Sequence, residues 1–72
     1  MESLNVSLSS PPDRDFLVAD IMLRRVQIAE VNMESGSMEI EIYTNPEGKP
    51  WRINLDDFLI ALNEAKARLT GD

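Results

Sequence analysis

The 72-residue chain contains no cysteine and no histidine. Their absence excludes disulfides, zinc sites of the usual kind, and the Ser-His-Asp and Cys-His arrangements of nucleophilic enzymes. Lysine is scarce as well, since Lys49 and Lys66 are the only two, and aromatic residues make up 6% of the chain. We therefore expect a protein that is not an enzyme and that requires no metal or cofactor.

Long apolar segments are also missing from the sequence. The apolar run at residues 16–19 ends at Asp20 and no apolar run exceeds five residues, whereas a membrane helix needs roughly 20 apolar residues. The first residues include Glu2 and lack the apolar stretch of a signal peptide. These features predict a cytoplasmic protein that is not bound to a membrane.

Acidic residues, by contrast, are abundant. The chain has 13 aspartates and glutamates against 7 lysines and arginines, which gives a net charge of −6. The acids are spread over both halves of the chain, so the total conceals no basic half, and this argues against nucleic-acid binding through a basic face. The length allows one domain with a small core, which a second subunit would help to stabilise.

The N-terminal segment, residues 1–13, has the composition of a flexible tail. Serine and proline crowd into residues 7–12, and few apolar residues are present to offset the entropy of ordering. Leu4, Val6 and Leu8 alternate, however, and an edge strand is the alternative interpretation. We expect a tail over residues 1–13 and a single α+β domain over residues 14–72.

Residues 16–23 form an apolar segment whose periodicity fits either a strand or a helix that starts near Ser10. The β-branched residues that follow Arg24 and Arg25 favour the strand. Both faces of such a strand are largely apolar, so we expect it to be covered on both sides.

The clearest strand signal is the strict alternation of residues 38–43, preceded by an apolar segment at residues 27–33 and a turn sequence at 34–37. With Ser35-Gly36 as a two-residue loop, one face carries three facing pairs. These pairs are Met33 and Met38, Val31 and Ile40, and Ala29 and Ile42. A shift by one residue would destroy this match, so the pattern determines its own register.

After a Pro- and Gly-containing turn at residues 45–50, residues 51–53 are expected to fold back beside the preceding strand. The last segment predicts an amphipathic helix, with Asn54 as its N-cap and Gly71 just after its end. Its apolar stripe consists of Leu55, Phe58, Leu59, Leu62, Ala65 and Leu69.

The predicted fold is therefore a small antiparallel β-meander of three to four strands, with one C-terminal amphipathic helix packed on one face. The predicted core comprises Val31, Met33, Met38, Ile40, Ile42, Trp51, Ile53, Phe58, Leu59, Leu62 and Leu69.

The opposite face of the sheet carries an unusual set of acids. In the predicted register Glu30 lies opposite Glu41, which is destabilising, and Arg52 beside Tyr43 is expected to relieve it. We interpret this face as a surface for a basic protein partner, although acids also serve solubility alone. The candidate binding residues are Glu30, Glu34, Glu39, Glu41, Tyr43 and Arg52. A flat face offers no pocket for acid–base catalysis or a hard cation by Glu30 and Glu41.

Two apolar surfaces remain without cover in this fold, one on residues 16–23 and one at Ile60 on the outer side of the helix. A homodimer would bury both. Its predicted interface comprises Leu17, Ile21, Leu23 and Ile60.

The sequence thus favours a small acidic protein-interaction module that acts on a basic protein surface. An inhibitor or regulator is one form of such a module, by an analogy that rests on no particular residue. One alternative is a dimeric nucleic-acid-binding regulator with Arg24, Arg25 and Arg52 on the DNA, which the net charge opposes. Another is a constant subunit of a larger complex.

Overall fold

Four strands form one antiparallel sheet, and the C-terminal helix packs on one side of it. The computed structural model describes residues 4–71. Within them the strands are β1 (Leu4–Ser9), β2 (Val18–Leu23), β3 (Val26–Asn32) and β4 (Glu39–Ile42), and the helix is α1 (Leu55–Thr70). The strands follow one another in the order β1-β2-β3-β4. The predicted α+β meander is confirmed.

The register of the β3–β4 hairpin is the one that the alternation predicts. Val31 lies opposite Ile40, Ala29 opposite Ile42, and Glu30 opposite Glu41. The connection is longer than the predicted two-residue loop, because β3 ends at Asn32 and β4 begins at Glu39. The turn itself is tight, and Gly36 adopts a φ of 90°, which glycine reaches without steric cost.

The segment at residues 16–23 is a strand, as favoured above, and Arg24-Arg25 is the two-residue turn between β2 and β3. Arg24 has a φ of 57°, the only positive φ of a non-glycine residue in the described part of the chain. The pairing shifts by one residue between Ile21 and Met22, so that Ile28 is an extra residue on β3. Such a bulge increases the local twist of the hairpin.

The prediction of a tail over residues 1–13 is wrong for Leu4–Ser9, which form the edge strand β1. Leu4 and Val6 pack against the core, and Ser9 Oγ donates a hydrogen bond to Asp20 Oδ2 at 2.9 Å. The serines and prolines suggested a tail, but β2 offers an unpaired edge and an apolar face that β1 covers. Residues 1–3 lie outside the described part of the chain.

Helix α1 begins and ends where its capping residues predict. The side chain of Asn54 accepts a hydrogen bond from the backbone N–H of Asp57 at 3.0 Å. Gly71 adopts the left-handed conformation, and its N–H donates to the carbonyl of Ala67. The helix lies across β1 and β2, touches β3 with one flank, and makes no close contact with β4.

This placement of the helix moves the core toward β2 and β3. The buried apolar residues are Val18, Ala19, Ile21, Ile28, Ala29, Val31, Ala61 and Ala65. Of the predicted core, Val31 is confirmed as buried and most others are half-buried at its edge. Ile40, Ile42 and Leu59 are exposed, which corrects the prediction, because the helix does not reach across to β4.

Residues 51–53 are also not the strand that the sequence predicted. They have irregular backbone, and the Trp51 indole Nε1 donates a hydrogen bond to the carbonyl of Tyr43 at 2.7 Å. Trp51 and Ile53 pack against the core from this loop. The outer edge of β4 therefore stays without a neighbouring strand in the described chain.

Candidate functional site: the acidic face and the β4 edge

The predicted acidic face lies on the side of the sheet opposite α1. Glu30 is opposite Glu41 and Asn32 is opposite Glu39, as the sequence predicts. The inner member of this group is not a surface residue, however, since Glu30 is only 6% exposed. The long β1–β2 connection, residues 10–17, crosses this side of the sheet and covers it.

Arg14 from this connection neutralises the opposed glutamates. One of its guanidinium nitrogens, Nη2, lies 2.9 Å from Glu30 Oε2 and 2.7 Å from Glu41 Oε2. Arg14 thus has the role that the sequence assigned to Arg52, which makes no ion pair with any residue in the range 4–71. Two opposed glutamates with no base on either strand require a base from elsewhere, and this signal could have pointed to Arg14.

The buried carboxylate of Glu30 is satisfied by two further hydrogen bonds. Asn32 Nδ2 donates to Oε2 at 3.1 Å, and Tyr43 Oη donates to Oε1 at 3.3 Å. Burial raises the pKa of Tyr43, and the negative charges of Glu30 and Glu41 and the hydrogen bond raise it further, against an opposing effect of Arg14. Tyr43 therefore acts as a hydrogen-bond donor that holds Glu30 in place.

Glu34 holds the β1–β2 connection against the sheet. Its carboxylate accepts hydrogen bonds from the backbone N–H groups of Asp15, at 3.0 Å, and Phe16, at 3.2 Å. Its own N–H donates to Asn32 Oδ1 at 3.2 Å. Glu30 and Glu34, both predicted to bind a partner, thus have structural partners within the chain.

Two of the predicted acids remain at the surface, and both are on β4. Glu39 is exposed and makes no ion pair or hydrogen bond through its side chain with any residue from 4 to 71, and Glu41 is exposed beyond its bond to Arg14. An open groove runs along this edge of the sheet. It is lined by Arg14, Asn32, Glu34, Ser35, Met38, Glu39, Ile40 and Glu41.

The other side of β4 is apolar and uncovered. Ile40 is 40% and Ile42 is 61% exposed, although both point to the side of the sheet on which the helix packs. Leu55 and Leu59 of α1 are exposed as well. Strand β4 therefore presents carboxylates on one face and isoleucines on the other.

The predicted dimer residues do not form one surface. Ile21 is fully buried beneath the helix and Leu23 is packed against the core, which corrects the prediction that they are accessible. Leu17 is 52% exposed and lines a cleft with Met33, whereas Ile60 is 64% exposed and lines a different one beside Leu4. Dimerisation itself stays a prediction.

The basic residues of the nucleic-acid alternative gather at one end of the molecule. Arg24 and Arg52 line a cleft of about 280 Å³ together with Lys49, Trp51 and the single acid Glu47. Arg25 is the neighbouring residue of the same turn. The turn between β2 and β3 and the loop before α1 therefore form a small basic cluster away from the acids of β4.

The described part of the chain shows no group of three or more side chains arranged to hold a metal ion. Arg14 occupies the position between Glu30 and Glu41 that a bound cation would need. Within residues 4–71 no helix has the length and apolar character required to cross a membrane. No protein-family model, curated protein or solved structure matches this chain.

Proposed function

We propose that this chain is a protein-interaction module whose partner presents a basic surface to Glu39 and Glu41. The observation that carries the proposal is the pair of exposed carboxylates on one edge strand, with Glu39 lacking any partner in residues 4–71. Strand β4 belongs to a chain with a net charge of −6. Such a surface attracts a positively charged partner and repels acidic ones.

The contacts of Glu30 and Glu34 within the chain support the assignment of partner binding to Glu39 and Glu41. Glu30 and Glu34 hold the β1–β2 connection on the sheet, and Arg14 joins that connection to Glu41. The connection thereby fixes one side of the groove next to β4. Arg14 already holds the carboxylate of Glu41, which would therefore lose little conformational entropy when it met a partner's lysine or arginine.

The experiment compares two charge-reversal variants of equal net charge. Glu39→Lys plus Glu41→Lys changes the proposed surface, and Asp56→Lys plus Glu64→Lys changes exposed acids of α1, which does not contact β4. Proteins captured from the native host are purified and titrated with each variant. We expect the first variant to bind at least about tenfold more weakly and the control to bind nearly as the wild type does.

The salt dependence gives a second criterion. Binding through exposed charges weakens as ionic strength rises. Equal affinity of both variants, or affinity that does not change with salt, would show that the acids of β4 do not form the binding surface.

A second candidate function, binding of nucleic acid, is favoured by the basic cluster of Arg24, Arg25, Lys49 and Arg52. Arg24 keeps an unfavourable positive φ at a turn position that glycine occupies more easily. Retardation of DNA at physiological salt that is lost in Arg24→Ala plus Arg25→Ala would favour this function. The net charge opposes it, and DNA that migrates unretarded would exclude it.

A further inference from the structure

The outer edge of β4 has backbone hydrogen-bonding groups that no residue from 4 to 71 bonds. The N–H of Tyr43 donates to the carbonyl of Ile28 on β3 at 2.8 Å. The backbone N–H and C=O groups of successive residues in an antiparallel strand point alternately toward one neighbouring strand and away from it. The backbone groups of Glu41 and Glu39 therefore also point to β3. The N–H and C=O groups of Ile40 and Ile42 therefore point away from the sheet, where no residue in the described range bonds them.

The side chains of the same strand divide by chemistry. Ile40 and Ile42 are exposed on the helix side, and Glu39 and Glu41 are exposed on the opposite side. A strand that paired with this edge would therefore meet apolar side chains on one face and carboxylates on the other. Cross-strand neighbours of this kind lie about 4.5–5.5 Å apart at Cβ.

We propose that β4 binds an extended segment of the partner protein as a fifth strand of the sheet, and that this segment alternates basic and apolar residues. The backbone groups of Ile40 and Ile42 bond the segment, its apolar residues lie over these isoleucines, and its lysines or arginines lie opposite Glu39 and Glu41. The inference rests on the proposed function and specifies how the basic partner is held.

Charge complementarity selects this occupant over a second copy of the chain. Antiparallel pairing of β4 with its own copy about Ile40 sets Glu39 against Glu41, and pairing about Glu41 sets that glutamate against its copy. Like charges directly opposite each other are destabilising. Each copy also carries a net charge of −6, which adds a long-range repulsion.

The opposite edge of the sheet is less suited to an added strand. Arg68 of α1 donates a hydrogen bond from Nη1 to the carbonyl of Val6 in β1. The helix packs on β1 but leaves β4 without contact. Strand β4 is therefore the edge on which both the backbone and the side chains are accessible.

The test uses three synthetic peptides as probes. One alternates lysine and valine, the second has the same composition with the lysines and valines in separate blocks, and the third alternates glutamate and valine. We expect the first to bind about tenfold more tightly than the second, because only alternation pairs both carboxylates with lysines, and the third not to bind. Amide hydrogen exchange should slow at Ile40 and Ile42.

Two further changes test the backbone contacts. Ile42→Pro removes an outward N–H without removing a bond to β3, and Ile42→Ala removes the same side chain but keeps the N–H. We expect the proline variant to bind the alternating peptide more weakly than the alanine variant. Should the proline variant fail to fold, N-methylation of alternate peptide bonds in the probe removes the partner donors and leaves the protein unchanged.

The outcomes separate this inference from the proposed function. The block peptide could bind as tightly as the alternating one, with both depending on Glu39 and Glu41. This result would support binding of a basic partner and would show that the partner does not add a strand to β4. If neither basic peptide binds and charge reversal does not weaken the captured partner, both are wrong. Slow exchange at Ile40 and Ile42 in the protein alone, with a doubled mass, would assign the edge to a second copy.

Discussion

Ile21 lies in the core, whereas the sequence predicted that it lies in a dimer interface. A substitution at this position distinguishes the two. Ile21 is fully buried, lies between Val6 of β1 and Ala29 of β3, and belongs to the cluster that includes Ala61 and Ala65 of the helix. We expect Ile21→Ala to destabilise the fold strongly and independently of protein concentration.

The magnitude follows from the surroundings of the side chain. Shortening a buried isoleucine to alanine costs about 2–5 kcal/mol, and the cost is higher where neighbours cannot close the cavity. Strands on both sides and the helix above fix the neighbours of Ile21, so we expect about 3–4 kcal/mol. A 72-residue domain has a free energy of unfolding of roughly 4–11 kcal/mol, and the variant would therefore retain little stability.

Urea unfolding followed by circular dichroism at widely separated protein concentrations measures this effect. Ile60→Ala is the matched control, because Ile60 is 64% exposed and such substitutions usually change stability by less than about 0.5 kcal/mol. A loss below about 1 kcal/mol for Ile21→Ala would refute the assignment to the core. The assignment would also be refuted if the urea midpoint of the wild type rose with protein concentration while the midpoint of Ile21→Ala did not.

Three other predictions concern the acidic face and the β2–β3 turn. Arg14→Met should lower the urea midpoint by about 1–2 M, because it leaves the buried carboxylate of Glu30 beside Glu41 without a cation. Arg24→Gly should be about 1 kcal/mol more stable than Arg24→Ala, since glycine accepts the φ of 57°. The single tyrosine, Tyr43, should ionise above its ordinary pKa of about 10. The neutral phenol therefore stabilises the fold below about pH 10, and this contribution is lost as the pH rises through the raised pKa.

Each of these predictions has a control. Glu30→Gln in the Arg14→Met background should recover part of the lost stability, and no recovery would show that buried charge is not the cause. Equal stability of the glycine and alanine variants at position 24 would show that the turn is unstrained. Absorbance of tyrosinate follows Tyr43 alone, and a midpoint at or below the ordinary value would contradict its hydrogen bond to the carboxylate of Glu30.

The local features of this chain could be predicted from the sequence because short-range patterns determine them. Alternation of apolar residues specified the β3–β4 register, including the opposed pair Glu30 and Glu41. Asn54 and Gly71 specified the ends of the helix. In each case the deciding interaction joins residues that are close in sequence or lie on one pair of strands.

The arrangement of these elements depended on contacts that are distant in sequence. Strand β1 was missed because the serines and prolines of residues 7–12 suggested a tail, and the predicted core therefore included Ile40 and Ile42 of β4, which the helix does not cover. Arg14 was missed because it is 27 positions from Glu41 and no periodic pattern links the two. The predicted burial of Ile40, Ile42 and Leu59 and the predicted cation at the acidic face were wrong for these reasons.

The position of α1 has a consequence for how the sheet opens. Strand β4 contacts β3 but not the helix, and it is short, so breaking the β3–β4 ladder exposes little buried apolar surface. Such elements open at lower free energy than the rest of a domain, and amides of Glu39 and Glu41 should exchange faster than those of β2. We therefore expect the strand that would receive a partner to open more readily than β2, and binding would suppress this local unfolding.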